Sequence, residues 1–469
     1  MELEMNLLGI DIGTTSVKAA LFDSDGNMLR SETYDYTLIT DGDKVEFVAE
    51  EYVKIVKQAI NDMKKSHDVF ALAIDTQCET LIVTDENGKP LRNAIVWLDN
   101  RASTEADEIK EKFGLKKVYE ITGQPEITAT WPASKIMWLR KNEPEIFNKT
   151  KKIFLLEDWI IYNLTGKFVT EKTLQSSSLY FDIKDGKWWE EMLEFVGISL
   201  DMLPYLADSC ELVGEYDGIK VVTSAMDQVA AAVGAGVYRE GMVSEMTGTA
   251  MVLFAPCKDI PAYNPDSIIP CHYNFDGSYA QILWTQTAGM TLKWFKTGLC
   301  EKFSFRELDE LAKDVPVGSA GLTMLPHLSG STMPKYNPDA RGYFCGMTLE
   351  HKRGHFVRSI LESIACMLRA NLEYLPFETN EIRIMGGGAS SPLWCNIKAN
   401  MTGKCLKTLK CTETATLGSA VMAGVGTGVF ASVSEACDKI VATDKEYLPT
   451  GDDYSEVYER YTKLDNLLN

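Results

Sequence analysis

Asp11 stands at the end of an apolar run and is followed almost at once by Gly13-Thr14-Thr15-Ser16, with a second apolar run over 17–22. A tight turn built from small residues and hydroxyls exposes backbone N–H groups, and clustered N–H dipoles with hydroxyl donors hold phosphate oxygens. An aspartate at the strand end is placed to hold the magnesium ion that accompanies a nucleotide phosphate. The plain alternative is a β-hairpin whose turn happens to be polar. The same order of residues returns at 243–254, where Thr247-Gly248-Thr249 separates two apolar runs. A third strand-like run, 381–385, exits into Gly386-Gly387-Gly388, and a fourth, 219–224, leads to Asp227.

The elements that must position these residues alternate between strand and helix patterns. After the opening hairpin, the periodicity predicts a helix over 50–66, a strand over 69–75, and a hairpin-like pair at 80–84 and 94–97 around the 85–90 turn. Helical patterns follow at 102–113, 133–142 and 152–164. Asp227 opens a small-residue helix through 233, and Gly234, Gly236 and Gly241 punctuate the next junction, a hinge candidate on glycine content. The second half has helical patterns at 286–299, 305–313 and 353–374. Ser391-Pro392 is an N-cap and N1 pair that starts another. The apolar stripe over 454–468 is a packing face. The recurrence of the strand, Gly-Thr turn, strand unit suggests two similar αβ halves.

Composition bounds the function classes. A chain of 469 residues is too long for one core and suggests two domains or three. Its 45% hydrophobic and 24% charged residues are those of an ordinary globular protein. The formal charge of −20 argues against a general nucleic-acid binder or an anionic-membrane protein. The eleven cysteines form no C-x-x-C pair, which points to a reduced, cytoplasmic chain with buried free thiols. The fold begins within a few residues of the first, leaving no room for a signal peptide, and no apolar run is long enough to span a membrane.

The three glycine-bearing strand exits together resemble the two phosphate loops and the adenosine loop of the actin-like ATPase superfamily. More narrowly, the chain resembles the FGGY family of carbohydrate kinases, which includes xylulokinases, ribulokinases, gluconate kinases and glycerol kinases. Both of that family's signature stretches are present: PASKIMWLRKN at 132–142, and GYFCGM at 342–347 followed by HFVRSILE at 355–362. Matching blocks include NAIVWLDNR at 93–101, LTGKFVT at 164–170, LPHLSG at 325–330, PDARG at 338–342 and LGSA at 417–420. The resemblance runs from about residue 7 to 430. It implies an α/β fold of two ribonuclease H-like (actin-like ATPase) domains with an interdomain catalytic cleft. Residues 1–236 would form the N-terminal domain and 237–469 the C-terminal, nucleotide-binding domain.

The resemblance also implies roles. Asp227 matches the family's catalytic aspartate, the base for a primary hydroxyl that receives the γ-phosphoryl group of ATP; its plain alternative is an N-cap. A helix N-terminus should keep it ionised near neutrality. Asp11 would bridge Mg2+. Thr14, Thr15 and Lys18 resemble the first phosphate-contacting turn, Gly248 and Thr249 the second. Gly289 matches a nucleotide-side glycine, with Lys293 on the same helix a weaker candidate, and Gly387, Gly388 and Ala389 would flank the adenosine. Ser391 reads as a helix cap.

Acceptor recognition is less typical. Gln77-Cys78-Glu79-Thr80 fills the slot where xylulokinases have Gln-Met-His-Gly and glycerol kinases Gln-Arg-Glu-Thr. Glu79 thus resembles the glycerol-kinase carboxylate, while Cys78 replaces its arginine partner. Asp227-Gln228 follows the glycerol-kinase pairing. Thr130 stands where an aromatic residue is expected, with Trp131 beside it, and Trp97 would form an apolar wall. The leading expectation is a kinase of an open-chain sugar, with a ketopentose such as xylulose the default acceptor. A polyol kinase is the alternative, and an actin-like or chaperone-type ATPase or a non-catalytic nucleotide sensor are more distant ones. Expected partners are a small sugar or polyol, with no nucleic acid and no membrane; a homodimer follows from family analogy alone.

Overall fold

The computed structural model describes residues 5–333 and 336–469. Two mixed β-sheets carry the chain. The first runs in the spatial order Leu212–Tyr216, Ile219–Met226, Ala71–Thr76, Leu7–Ile12, Ser16–Phe22, Met28–Asp35. The second runs Cys271–Tyr273, Tyr279–Thr285, Met251–Cys257, Met242–Thr247, Glu381–Met385, Cys405–Leu409, Thr443–Tyr447. Stripped of edge strands, the two are the same design. An antiparallel three-strand meander opens each, and two strands parallel to its first strand complete it. The repeat expected from the two Gly-Thr turns is therefore real: each turn joins the first and second strands of its sheet.

This topology gathers chemistry at one edge. Because Leu7–Ile12, Ala71–Thr76 and Ile219–Met226 are parallel, their carboxyl ends lie together, bringing Asp11 near the end of the first beside Gln77 to Glu79 and Asp227, which follow the other two. In the second sheet, Met242–Thr247 and Glu381–Met385 end together at Gly248 and Gly386. The glycine run and the Gln77–Glu79 segment thus leave equivalent strands of the two halves.

The first strand is buried on both faces. Leu8, Ile10 and Ile12 share a core with Tyr52, Val56 and Ile60 of the helix Ala49–Lys64, whose apolar residues recur at helical spacing. On the opposite face lies the helix Thr414–Gly426, which returns from the second half to cover the first sheet. Its approach requires glycine: a Cβ on Gly9 would stand 1.8 Å from the Thr416 carbonyl oxygen. The same helix crosses Asp227–Gly234 at equal range, where a Cβ on Gly418 would meet Ala230 O, and one on Gly234 would meet Thr414 O, both at 1.8 Å. Gly234 is therefore a packing residue rather than a hinge, whereas Gly236 and Gly241 have φ of 77° and 90°.

Several expected elements shift. The segments 80–84 and 94–97 share only one bridge, Leu81 to Ile95. Instead Ile82–Thr84 pairs with Lys152–Phe154, and Ala94–Ile95 with Lys44–Phe47. These short buried runs lack the alternation that would have fixed their partners locally. Lys152–Phe154 is accordingly strand, and the helix begins at Leu156, where Asp158 accepts the Leu155 N–H at 2.9 Å. All eleven cysteines are free thiols. Among the described residues no helix is long and apolar enough to cross a membrane.

Candidate active site

Three carboxyls converge where the first sheet ends. Asp11 is the register neighbour of Asp75 on one side and of Lys18 on the other. Burial raises the Asp11 carboxyl above its usual range, against a hydrogen bond with Asp75 and the charge of Lys18. Asp75 is fully buried; its Oδ2 accepts from Ser419 Oγ at 2.6 Å, while Oδ1 has no donor. Burial, then the charge of Asp11, hold Asp75 well above the carboxylate range. Asp75 escaped the sequence reading; the available signal was a lone acid inside an apolar strand.

Asp227 is the first residue of its helix, and its Oδ1 accepts the N–H of Gln228 at 2.6 Å. Burial and, second, the charge of Asp11 push its carboxyl up to about 7. The helix terminus alone predicts a group ionised at neutrality; desolvation outweighs that dipole and lifts the carboxyl well above the usual carboxylate range.

The first turn is well tied down. Gly13 N–H donates to Ser16 O at 3.0 Å, Tyr36 OH donates to Gly13 O, and Tyr36 N–H donates to Thr15 O at 2.9 Å. Thr14 lines a cavity of about 430 Å³, and Thr15 is exposed. Lys18 lines neither cavity described here; its Nζ lies 3.1 Å from Glu413 Oε2 in a partly exposed ion pair.

The 430 Å³ cavity brings together Cys78, Glu79, Trp97, Asp227 and Gln228 with Thr14. Thr130 does not line it; its hydroxyl pairs with Thr128 Oγ1 at 2.7 Å. Trp131 takes the wall position, its Nε1 donating to Glu126 O at 3.1 Å. Glu79 adopts a left-handed φ of 58°, which turns the backbone so that its carbonyl accepts from the buried Lys135 Nζ at 2.8 Å. Lys135 also donates to Val96 O at 3.0 Å. Burial pushes both side chains toward neutrality, and each opposes that in the other. Sequence reasoning missed Gln124, Glu126, Ser177, His272 and Trp284, which lie on this cavity from four separate stretches of chain. Its charged lining groups are all acidic, Glu79, Glu126 and Asp227, with no lysine or arginine. Burial pushes His272 down to about 4, so it is uncharged at neutral pH.

A larger cavity, about 860 Å³, is lined by Gly248, Thr249, Gly289, Lys293, Gly387 and Gly388. A Cβ on Gly289 would meet Gly248 O at 2.1 Å, whereas Gly248 faces open space. Bare backbone at Gly248 and Gly387 leaves room for a ligand to approach the main chain. Ala389 does not line it and packs instead against the apolar cluster of Ile382, Ile384, Cys395, Ala399 and Leu406. Ser391 caps its helix by accepting the Trp394 N–H at 3.1 Å and also lines the cavity. Phe305, Arg306, Asp309 and Lys313, all on one helix, complete a wall that no sequence motif indicated. The two cavities share the second hairpin: its turn lines the larger, and Val252 just beyond lines the smaller.

Among the described residues no group of three or more His, Cys, Asp or Glu side chains is arranged to hold a metal. The groups that could contribute to one are Asp11 and the carboxyls beside it, together with a ligand's own oxygens.

Residues 6–234 match the N-terminal domain, and residues 274–427 the C-terminal domain, of the FGGY family of carbohydrate kinases. The chain is 28% identical over 486 residues to the xylulose kinase of Lactococcus lactis, covering 98% of this chain and 96% of that protein. It is 30% identical over 451 residues to the glycerol kinase of Thermococcus onnurineus, covering 92% and 90% respectively. The crystal structure of ligand-bound xylulose kinase from Lactobacillus acidophilus superimposes with a TM-score of 0.91 at 24% identity, covering 99% of this chain and 98% of that one.

Proposed function

The chain belongs to the FGGY family of carbohydrate kinases, and we propose that it transfers the γ-phosphoryl group of ATP to a primary hydroxyl of an uncharged open-chain sugar, by default a ketopentose of the xylulose type. The observation that carries this reading is the 430 Å³ cavity in which Asp227 meets Glu79, Gln228 and two tryptophan walls, Trp97 and Trp131.

Asp227 is the base that takes the acceptor's proton, and its carboxyl near 7 suits that task at neutral pH. Glu79 and Gln228 receive the remaining hydroxyls, and the indoles exclude water that would otherwise compete as acceptor. The donor occupies the 860 Å³ cavity, with its phosphates at Gly248 and Thr249 and its adenosine against Gly387 and Gly388. The bare backbone at Gly248 and Gly387 fits such a ligand. A magnesium ion fits beside Asp11, since that ion keeps several waters and takes only one or two carboxylates plus phosphate oxygens. When bound, it neutralises charge on the transferring phosphates. Thr14 and Thr15 complete the phosphate end, while Lys18 is held by Glu413 instead. The division into 1–236 and 237–469 and a cytoplasmic location belong to the same reading.

The acidic lining bears on the acceptor class. With Glu79, Glu126 and Asp227 on the cavity and no lysine or arginine, an aldonate carboxylate finds no cationic partner there. A polyol is the second reading, favoured by Glu79 lying on the cavity. An ADP-release assay over ketopentoses, polyols and aldonates separates the cases. Turnover with a ketopentose and none with an aldonate is expected. Turnover confined to polyols selects the second reading, and hydrolysis indifferent to every acceptor overturns both.

A further inference from the structure

The second Gly-Thr turn rests on a buried ion pair. Glu245 and Lys398 are both fully buried, with Lys398 Nζ 3.1 Å from Oε1 and 3.0 Å from Oε2. Lys398 Nζ also donates to Thr247 Oγ1 at 2.9 Å, and Thr247 Oγ1 donates to Glu245 Oε1. Thr247 is the last residue of its strand, directly before Gly248, and it lines the 860 Å³ cavity. Its neighbours across the fold are the glycine run: a Cβ on Gly388 would stand 2.8 Å from Thr247 Cβ, and one on Gly386 would stand 2.7 Å from Thr247 O. Lys398 belongs to the helix Pro392–Thr402, whose first residues line the same cavity, and its Nζ lies 4.7 Å from the ring centre of Trp394, another lining residue.

One ion pair thus joins three separate walls: the turn at 247–249, the glycine run at 386–388, and the helix beginning at Pro392. Its charges cancel, so Lys398 supplies no net attraction to an anion in the cavity. A buried pair of this kind is weak evidence for stability, because the desolvation of two ions offsets their mutual attraction and apolar replacements are often neutral. What the pair does is geometric. It holds the Thr247 hydroxyl, and Thr247 packs directly against the glycine run.

We propose that Glu245, Lys398 and Thr247 form a positioning unit that sets the spacing of the nucleotide cavity's walls for the phosphoryl donor. The inference rests on reading that cavity as the nucleotide site.

The test is ADP binding by calorimetry, with thermal unfolding alongside, on the parent protein and on Glu245→Leu/Lys398→Met. The double substitution removes both charges together, so no buried ion is stranded. The parent binding ADP confirms the nucleotide reading; a parent that does not bind ADP overturns that reading, and this inference with it. Given parent binding, the double variant should unfold at a similar temperature and bind ADP at least tenfold more weakly, with the acceptor KM unchanged. A folded double variant whose ADP affinity lies within twofold of the parent overturns the inference. Should the double variant not fold, Thr247→Val decides: it removes only the hydroxyl that the pair holds. A several-fold loss of ADP affinity supports the unit, and parental affinity rejects it.

Discussion

The indole Nε1 of Trp97 donates to Thr14 Oγ1 at 3.1 Å, linking a wall of the smaller cavity to the first Gly-Thr turn. The wall and the turn are 83 residues apart in sequence. One hydrogen bond therefore ties the proposed acceptor pocket to the proposed phosphate turn.

Trp97→Tyr keeps an aromatic wall but cannot place a donor where the indole N–H lies. A neutral hydrogen bond contributes about 1 kcal/mol, equivalent to roughly fivefold. A loss of that order in kcat/KM is expected for both substrates at once, because the bond links their two sites. Steady-state kinetics with each substrate varied in turn measure it, and a loss confined to one substrate would refute the linkage.

Asp227→Asn removes the proposed base without changing the side chain's shape. Turnover should fall by about 10²–10⁴-fold, with ADP affinity retained. Stability should move the other way. The native carboxyl is raised to about 7 by burial, above the range of the unfolded chain, so it favours the fold only at pH below that range and loses this contribution as pH rises toward 7. Asparagine does not titrate. Thermal melts should therefore show the variant gaining on the parent between pH 5 and pH 8, and a constant offset would contradict the assignment of the shift to Asp227.

As the proposed base, the same group should set the activity profile. Only the ionised form accepts a proton, so kcat/KM should rise with pH along an acid limb governed by Asp227. Asp11's charge is the second cause of the elevated value, after burial. A cation beside Asp11 offsets that second cause, so the limb should lie at or below about 7. A profile from pH 5 to 9 that instead falls throughout would exclude a carboxylate base.

Glu79→Gln should discriminate between the two cavities. Hydrogen bonds to a charged group contribute about 1.5–3 kcal/mol, or roughly 10–100-fold. That loss is expected in kcat/KM for the acceptor, while the KM for ATP stays within twofold. Equal losses for both substrates would show that Glu79 acts on the fold through Lys135 rather than on the acceptor.

Gly418→Ala tests the crossing of the two small-residue helices. A Cβ there would stand 1.8 Å from Ala230 O, so the helices must separate. Overpacking of this kind costs about 1–3 kcal/mol or more. A clear fall in melting temperature is expected, with loss of activity because Asp227 begins the partner helix. An unchanged melt would mean that the crossing has slack.

Much of this protein was legible in its residues. The two Gly-Thr turns, the strand exit into Gly386, the N-cap at Ser391 and Asp227 at a helix start are local patterns, set by periodicity and backbone chemistry within a few positions. They gave the repeat and several lining residues of the larger cavity, while the signature stretches at 132–142 and 342–362 gave the family. The strand pairing of 82–84 and 94–95 was not legible, because short, fully buried runs carry no alternation and their partners lie far off in sequence. The same reason hid Asp75 and most of the smaller cavity; the helix at 305–313 was legible, but not that one face of it lines the larger cavity. The smaller cavity's lining comes from stretches scattered between residues 14 and 284 that only the packed fold brings together. Whether Thr130 or Trp131 faces that cavity, whether Lys18 is spent on Glu413, and whether Asp227 is ionised at neutral pH all depend on direction and desolvation. Those are properties of the surroundings, and a sequence specifies surroundings only once it has folded.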